Sequence, residues 1–148
     1  MGGSEETAWR HDGNGLHAAV GDPSGLGTIL TAPFTPQIGT WYHIAYTFDD
    51  ISKSQALFLN GTILASGLGN KSIGYDTHAV TIGAEFENEN LTFFFAGLID
   101  EVEIFNRALD AEEIEEIFEA GSAGKCKDIE EPDGDNNNGE NGQSGGQG

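Results

Sequence analysis

Short alternating runs of apolar and polar residues fill the chain as far as about Phe105. Glycine, proline, asparagine and aspartate separate these runs at intervals of roughly 8–12 residues, which is the pattern of a β-sandwich or a β-barrel. The runs "LHAAVGD" and "GTILTAPF" are predicted strands, and the turn Pro23-Ser24-Gly25 lies between them. The pattern alone therefore predicts an all-β domain.

The run "TWYHIAYTFDD" is rich in strand-forming residues. Alternation assigns its side chains to two faces, with Trp41, His43, Ala45 and Thr47 on one and Tyr42, Ile44, Tyr46 and Phe48 on the other. Because both faces carry apolar side chains, we expect this strand to be at least partly covered on both sides, as in the middle of a sandwich.

The clearest hairpin is "SQALFLNGTILASG", with Asn60-Gly61 at its centre. Both turn positions can take a positive φ, which the favoured two-residue hairpin turn requires. The remaining predicted strands are "AVTIGAEF" and "TFFFAGLIDEVEIF". In the second of these, Asp100, Val102 and Ile104 alternate and share one face. Because Val102 and Ile104 are predicted to be buried, the Asp100 carboxylate is predicted to lie in line with a core face.

The periodicity changes to that of a helix after Arg107. The apolar residues of one helical face are Leu109, Ile114, Ile117 and Phe118. Asp110 and Glu113 have the spacing of a capping box, and Gly121 can end a helix in the left-handed conformation. The sequence therefore predicts a short helix over about 110–119, with an acidic outer face, that must dock on the sandwich.

Composition limits the partners that this domain can have. The 148 residues carry a formal net charge of -19, from 25 Asp plus Glu against six Lys plus Arg. Nucleic acid and anionic membranes are poor partners for such a surface, and no apolar run is long enough to span a bilayer. Cys126 is the only cysteine, so no internal disulfide can form. Residues 127–148 are almost free of apolar side chains and are predicted to be a disordered, acidic Asn/Gly-rich linker.

The order of these elements resembles a laminin G-like domain of the concanavalin A-like lectin/glucanase superfamily. The resemblance rests on "WYHIAYTFDD", "LFLNGTILASG", "TIGA" and "GLIDEVEIFNRAL" followed by "EEIEEIFEAG". It implies an antiparallel two-sheet jelly-roll sandwich with one short C-terminal helix. It also implies an extracellular or cell-surface setting, within a larger protein.

The resemblance gives the predicted domain boundaries. Residues 7–126 correspond to the jelly roll, without the opening strands that the family places before a strand such as "AWRHDGNG". Residues 1–6 are predicted to be a leader or the edge of a fragment, and "MGGSEETAWR" lacks the apolar region of a signal peptide. Open sheet edges invite pairing, so pairing with another copy through these edges is one expectation.

Asp100 is the candidate metal ligand. An unpaired buried carboxylate is costly, so a wet strand end, backbone N–H donors or a cation must stabilise it. The resemblance implies the cation, because an aspartate at this place in the last strand of the wider superfamily often helps to hold a structural calcium ion. Calcium takes about 6–8 oxygen ligands, often including carboxylates. The alternative is an aspartate that is hydrogen-bonded near the surface.

The run "EFENE" carries the strongest enzymatic pattern in the chain. Glu85, Glu87 and Glu89 would share one face of a strand, and the related β-glucanases have Glu-x-Asp-x-Glu in such a strand. A retaining glycosidase needs two carboxyl groups about 5–5.5 Å apart, whereas Glu85 and Glu89 would be about 13 Å apart at Cα on an extended strand. Asn88 and Asn90 fit a loop, so we predict a solvated acidic loop, no catalytic residues and no enzymatic activity.

Three aromatic residues near loops, Trp9, Tyr42 and Tyr75, are the candidates for stacking on a sugar ring. Core or rim packing is the alternative role for each. The predicted function is a non-catalytic binding or adhesion module that recognises carbohydrate or an extracellular protein, with calcium as a stabilising ion. The alternatives are a structural spacer domain without a ligand of its own and a glucanase-like glycoside hydrolase.

Overall fold

The computed structural model describes residues 7–12, 15–75, 79–87 and 90–121. The elements in these ranges are β1 (Thr7–Asp12), β2 (Gly15–Asp22), β3 (Gly25–Leu26), β4 (Leu30–Ala32), β5 (Ile44–Phe48), β6 (Ser54–Leu59), β7 (Thr62–Leu68), β8 (Glu85–Glu87), β9 (Asn90–Thr92) and α1 (Ala111–Ala120). The leader predicted for residues 1–6 and the linker predicted for residues 127–148 lie outside the described residues. Within the described ranges, no helix is long and apolar enough to cross a membrane.

Strand β2 is the centre of a four-stranded antiparallel sheet. It pairs with β1 on one side, where Trp9 lies opposite Ala18, and with β3 and β4 on the other. The strand predicted for "GTILTAPF" is confirmed only at Leu30–Ala32. The Pro23-Ser24 turn joins β2 to β3, and Gly25 follows it with φ +114°, a value that side chains disfavour.

A second antiparallel sheet has the order β5-β6-β7. The hairpin between β6 and β7 turns at Asn60-Gly61, where φ is 50° and 76°, so the predicted turn is confirmed. The Asn60 side chain strengthens this turn, since its Oδ1 accepts the backbone N–H of His43 at 3.0 Å.

The main core lies between these two sheets, as a sandwich requires. Side chains of β2 and β4 meet β6 in one buried cluster, which consists of Leu16, Ala18, Leu30, Ala32 and Leu57. Ile44 and Tyr46 pack against this cluster from one face of β5, and Ala45 packs on the opposite side of the sheet. The predicted two-sided covering of β5 and the predicted antiparallel sandwich are therefore confirmed.

Helix α1 covers the outer face of the second sheet. Phe58 of β6 packs there against Leu109 and Ile114, all three of them buried. The Asp110 side chain accepts the Glu113 N–H, and the Glu113 side chain accepts the Asp110 N–H, so the predicted capping box is confirmed. Gly121 ends the helix with φ 50° but ψ -142°, which is not the left-handed conformation that we predicted.

The prediction of a strand that contains Asp100 is wrong. Residues 93–105 belong to no strand among the described elements, and Val102 and Ile104 are 51% and 79% exposed. A strand needs a neighbour that completes its backbone hydrogen bonds, and no described strand lies in register beside this segment. Positive φ values at Phe93 and Glu101 also interrupt an extended backbone. The strand predicted for "AVTIGAEF" is likewise reduced to its last residues, in β8.

Candidate functional site

An exposed aromatic ring lies on an anchored loop between β4 and β5, in residues 33–43, which we call the aromatic loop. Tyr42 anchors it, because its Oη accepts the Gln37 N–H at 3.1 Å and its ring packs edge-on against Phe34, with ring centroids 5.0 Å apart. A turn closes the tip, where the Thr40 N–H donates to the Gln37 carbonyl at 3.2 Å. The loop therefore holds its shape through its own side chains.

Trp41, and not Tyr42, presents its ring to solvent on this loop. The Trp41 side chain is 62% exposed, whereas Tyr42 is half-buried and its hydroxyl is engaged by the loop. Tyr42 therefore positions the loop, and its ring is less accessible to a ligand than that of Trp41. Sequence reasoning placed Trp41 on a partly covered strand face and missed it as a candidate. The available signal was its place directly after the turn over residues 37–40, before β5 begins at Ile44.

The aromatic loop is electrically neutral in a strongly acidic protein. No Asp, Glu, Lys or Arg occurs from Pro23 to Phe48, although the chain carries a net charge of -19. The polar groups that the loop exposes are uncharged, including Thr35 and Thr40. Such a surface can stack on an uncharged ring and exchange hydrogen bonds with it, but it offers no charge for an ionic ligand.

Tyr75 lies on a different surface, at the end of the segment 69–75 that follows β7. Lys71 ties this segment to the β2–β3 turn, because its ammonium group donates to Asp22 Oδ1 at 2.8 Å, Ser24 Oγ at 2.6 Å and the Gly25 carbonyl at 2.8 Å. The Lys71 hydrogen bond, together with those from Ser24, lowers the pKa of Asp22 to about 2. The Tyr75 ring is 86% exposed beside this anchored segment.

The third aromatic candidate, Trp9, lies on β1, and its side chain is outside the described part of the structure. The three predicted stacking residues thus have different positions. Tyr42 supports a loop, Tyr75 is exposed on another segment, and Trp9 lies in a strand of the four-stranded sheet.

Asp100 is exposed, and its carboxylate Oδ1 accepts the backbone N–H of Glu101 at 2.8 Å. This is one of the backbone donors that the sequence analysis considered, but it comes from the next residue and not from a strand end beside a core. Among the described residues, no group of three or more His, Cys, Asp or Glu side chains is placed to hold a metal ion. Calcium at Asp100 stays a prediction.

Two of the three glutamates of "EFENE" lie on one strand of a short antiparallel pair. Glu85 and Glu87 lie on β8, and Glu87 pairs with Asn90 of β9. The strand that carries Glu85 therefore reverses direction before Asn90. Glu89 falls outside the described residues. Of the pair that a glucanase-like mechanism would use here, Glu85 and Glu89, the structure therefore describes only Glu85.

A shallow groove of about 580 Å³ lies on the outer face of the second sheet, beside the start of α1. Its walls are mostly small side chains, including Thr47, Ala56 and Ser66, with Leu109 and Asp110 at one end. The Asp110 carboxylate is engaged in capping the helix. Among the described residues that line the groove there is no aromatic side chain and no further charged group, so this lining lacks the usual means of orienting a ligand.

A family model and one solved structure match this chain. A search of curated proteins found no match. Among solved structures, the chain is similar to an S-layer domain-containing protein (residues 221-444) from Clostridium thermocellum ATCC 27405, with 19% identity and a TM-score of 0.46. That similarity covers 76% of this chain and 63% of the other. The Laminin_G_3 family model, described as Concanavalin A-like lectin/glucanases superfamily, matches residues 2–115. The chain therefore belongs to the laminin G-like family of the concanavalin A-like lectin/glucanases superfamily.

Proposed function

We propose that this domain is a non-catalytic binding module of a larger extracellular or cell-surface protein, and that it recognises neutral carbohydrate through Trp41. The observation that carries the proposal is the exposed Trp41 ring on a loop that Tyr42 and Phe34 hold in place. Membership in a superfamily of lectins and glucanases supports a carbohydrate ligand.

The chemistry of Trp41 matches a sugar ring. A pyranose has an apolar C–H face and an edge that carries hydroxyl groups. An indole ring can pack against the face while uncharged polar groups of the protein form hydrogen bonds with the hydroxyls. Trp supplies a large apolar surface with few rotatable bonds. Because the aromatic loop is already held by its own contacts, binding would immobilise few further side chains. Each side chain that is already ordered avoids a cost of about 0.5–1.5 kcal/mol in the free energy of binding.

The neutral loop decides which class of sugar is proposed. Uronic acids, sialic acids and sulfated glycans carry negative charge, and they would approach a protein of net charge -19 against its overall field. No cation from Pro23 to Phe48 could compensate for this repulsion. A neutral hexose or pentose polymer meets no such penalty.

Binding of the purified domain to immobilised neutral and acidic glycans tests the proposal. We expect retention on neutral glycans, and Trp41→Ala should weaken it by about tenfold or more, equal to about 1.4 kcal/mol. Ile38→Ala is the matched control, because Ile38 lies on the same loop and is fully exposed but has no ring; it should bind like the wild type. Tyr75→Ala should also bind like the wild type if Trp41 is the aromatic residue that contacts the glycan.

Each other outcome points to an alternative. Absence of binding to any glycan would favour the structural spacer. Loss of binding in Tyr75→Ala with retention in Trp41→Ala would move the site to the 69–75 segment. Release of reducing ends from a β-glucan, abolished by Glu85→Gln, would show a hydrolase and would overturn the non-catalytic proposal.

A further inference from the structure

Phe118 of α1 is an exposed aromatic residue that the sandwich core does not use. The helix packs on the second sheet through Ile114 and Ile117, which join the apolar cluster around Phe58. Phe118 is not part of that cluster and is 40% exposed. An aromatic ring that stays partly in solvent beside a core keeps a large apolar surface available to a ligand.

Two contacts hold the Phe118 ring in place. The ring lies against the His43 imidazole, with centroids 6.0 Å apart and ring planes tilted by 31°. The Asn60-Gly61 turn borders it as well, because a Cβ atom added to Gly61 would lie 3.0 Å from Phe118 Cδ1. Since the ring is already ordered by these neighbours, a ligand would meet it with little loss of side-chain entropy.

His43 connects Phe118 to the aromatic loop, of which it is the last residue. Two residues of chain separate the Trp41 and His43 Cα atoms by no more than about 7 Å. Alternation gives Trp41, His43 and Ala45 the same side of the chain, and Ala45 packs toward α1. The exposed rings of Trp41 and Phe118 are therefore expected to border His43 on one surface.

Carboxylates flank Phe118 on the helix. With 3.6 residues per turn, Glu115 and Glu119 project within about 100° of Phe118, whereas Glu116 projects about 160° away from it. All three glutamates are exposed. A carboxylate accepts strong hydrogen bonds from hydroxyl groups, so this end of α1 offers acceptors to an uncharged sugar and repels an anionic one.

We propose that Phe118 forms a second subsite of the glycan site, so that the ligand is a neutral oligosaccharide chain that extends from Trp41 past His43 onto the C-terminal half of α1. Glu115 and Glu119 accept hydrogen bonds from its hydroxyl groups. This inference rests on the proposed carbohydrate function and adds a requirement for chain length. A short oligosaccharide occupies the Trp41 position alone, whereas a longer chain contacts both rings.

Affinity across a length series measures the second subsite. The probes are soluble β-1,4-linked oligosaccharides of glucose, mannose and xylose, from the disaccharide to the hexasaccharide, titrated into the full chain. In the series that binds, we expect affinity to rise by about fivefold once the chain is long enough to reach Phe118. Phe118→Leu should remove this gain and leave the affinity for the disaccharide unchanged, whereas Trp41→Ala should weaken binding at every length.

Matched variants separate the subsite from the stability of the helix. Phe118→Leu keeps an apolar side chain on α1 but removes the ring, and a thermal melt verifies that the variant is folded. Phe105→Leu makes the same change at a ring that is 49% exposed outside α1 and the aromatic loop, and it should bind like the wild type.

The role of the carboxylates has its own comparison. E115Q/E119Q should weaken only the longer oligosaccharides, by about threefold, since an amide is a weaker acceptor than a carboxylate. Glu116→Gln removes a charge from the same helix on the side away from Phe118 and should have no effect. Equal weakening by Glu116→Gln would contradict the placement of the ligand.

The remaining outcomes distinguish this inference from the function on which it rests. Equal affinity at every length, or a gain with length that Phe118→Leu retains, would overturn the second subsite and leave the Trp41 site intact. Loss of disaccharide binding in Phe118→Leu would also overturn it, because the substitution would then act on the Trp41 position. Failure of the wild type to bind any series would overturn both the subsite and the proposed recognition of neutral carbohydrate.

Discussion

The Lys71 ammonium lies 2.8 Å from Asp22 Oδ1, and this ion pair joins residues 49 positions apart in the chain. It holds the 69–75 segment against the β2–β3 turn, where the Gly74 N–H also donates to the Gly21 carbonyl at 2.8 Å. The exposed Tyr75 ring follows directly in the sequence. A single lysine thus connects the end of the second sheet to the first.

Substitution of Lys71 should change how the stability of the fold depends on pH. The pKa of Asp22 is lowered to about 2 in the folded protein, from an ordinary value of 3.8. A lowered folded-state pKa contributes stability that is present above the ordinary value and is lost as pH falls toward the folded-state value. Lys71→Met should therefore lower the melting temperature near neutral pH, and its deficit relative to the wild type should shrink between about pH 4 and pH 2.

The double variant D22N/K71M is the control for that experiment. If the two side chains act on each other, D22N/K71M should be less destabilised than the sum of the single variants. Additive effects, or a Lys71→Met deficit that persists unchanged at pH 2, would contradict the role of the pair.

The partly buried hydrogen bond between Tyr46 and Gln55 supports a second prediction. Tyr46 Oη donates to Gln55 Oε1 at 2.7 Å, and the amide of Gln55, which is 2% exposed, donates to the Thr28 carbonyl at 3.1 Å. Tyr46→Phe leaves a buried acceptor unsatisfied and should cost about 1–3 kcal/mol in the free energy of unfolding. Tyr75→Phe is the matched control at an exposed ring, and denaturant titration should show a change within about 0.5 kcal/mol.

Burial of the same tyrosine predicts alkaline sensitivity. Burial raises the pKa of Tyr46 to about 12 from 10.0. A phenol that is kept neutral in the fold contributes stability that is lost as pH rises from the unfolded-state pKa toward the folded-state value. Thermal stability of the wild type should fall between about pH 10 and pH 12, and Tyr46→Phe should show less of this fall. Parallel pH profiles for the two proteins would contradict this assignment.

Charge insertion at two valines tests whether the segment 93–105 is exposed. Val102 is 51% exposed, so Val102→Asp should change unfolding free energy by no more than about 0.5 kcal/mol. Val20 on β2 is 2% exposed, so Val20→Asp should be severely destabilising, by several kcal/mol, as an unpaired charge enters the core. If Val102→Asp lowered the melting temperature as much as a severely destabilising Val20→Asp, Val102 would be buried.

The proposed calcium ion at Asp100 is tested by chelation. If calcium is bound there, EDTA should lower the melting temperature and added calcium should restore it, because a ligand of the folded state stabilises that state. Asp100→Asn retains an acceptor for the Glu101 N–H but loses the charge, so it should abolish the calcium response and otherwise melt close to the wild type in EDTA. A wild type that does not respond to millimolar calcium would exclude the metal role and leave the Glu101 hydrogen bond as the function of this carboxylate.

Features that depend on a few neighbouring residues could be predicted from the sequence by itself. The Asn60-Gly61 turn follows from the tolerance of both residues for positive φ, and the capping box follows from the spacing of Asp110 and Glu113. The two faces of β5 follow from alternation, because each face contacts a different apolar cluster. The family itself was evident from runs of residues in a fixed order, and the family match confirms it.

Features that depend on which segments become neighbours were decided only by the tertiary structure. Asp100, Val102 and Ile104 have the alternation of a buried strand, but alternation does not supply the adjacent strand whose backbone and side chains would cover them. The same reason separates Tyr42 from Trp41, which are chemically similar neighbours, since only the contact with Phe34 and Gln37 makes one an anchor and leaves the other exposed. The pairing of Lys71 with Asp22 spans 49 positions and has no local signature, because it arises from the approach of two sheets and not from the residues beside either side chain.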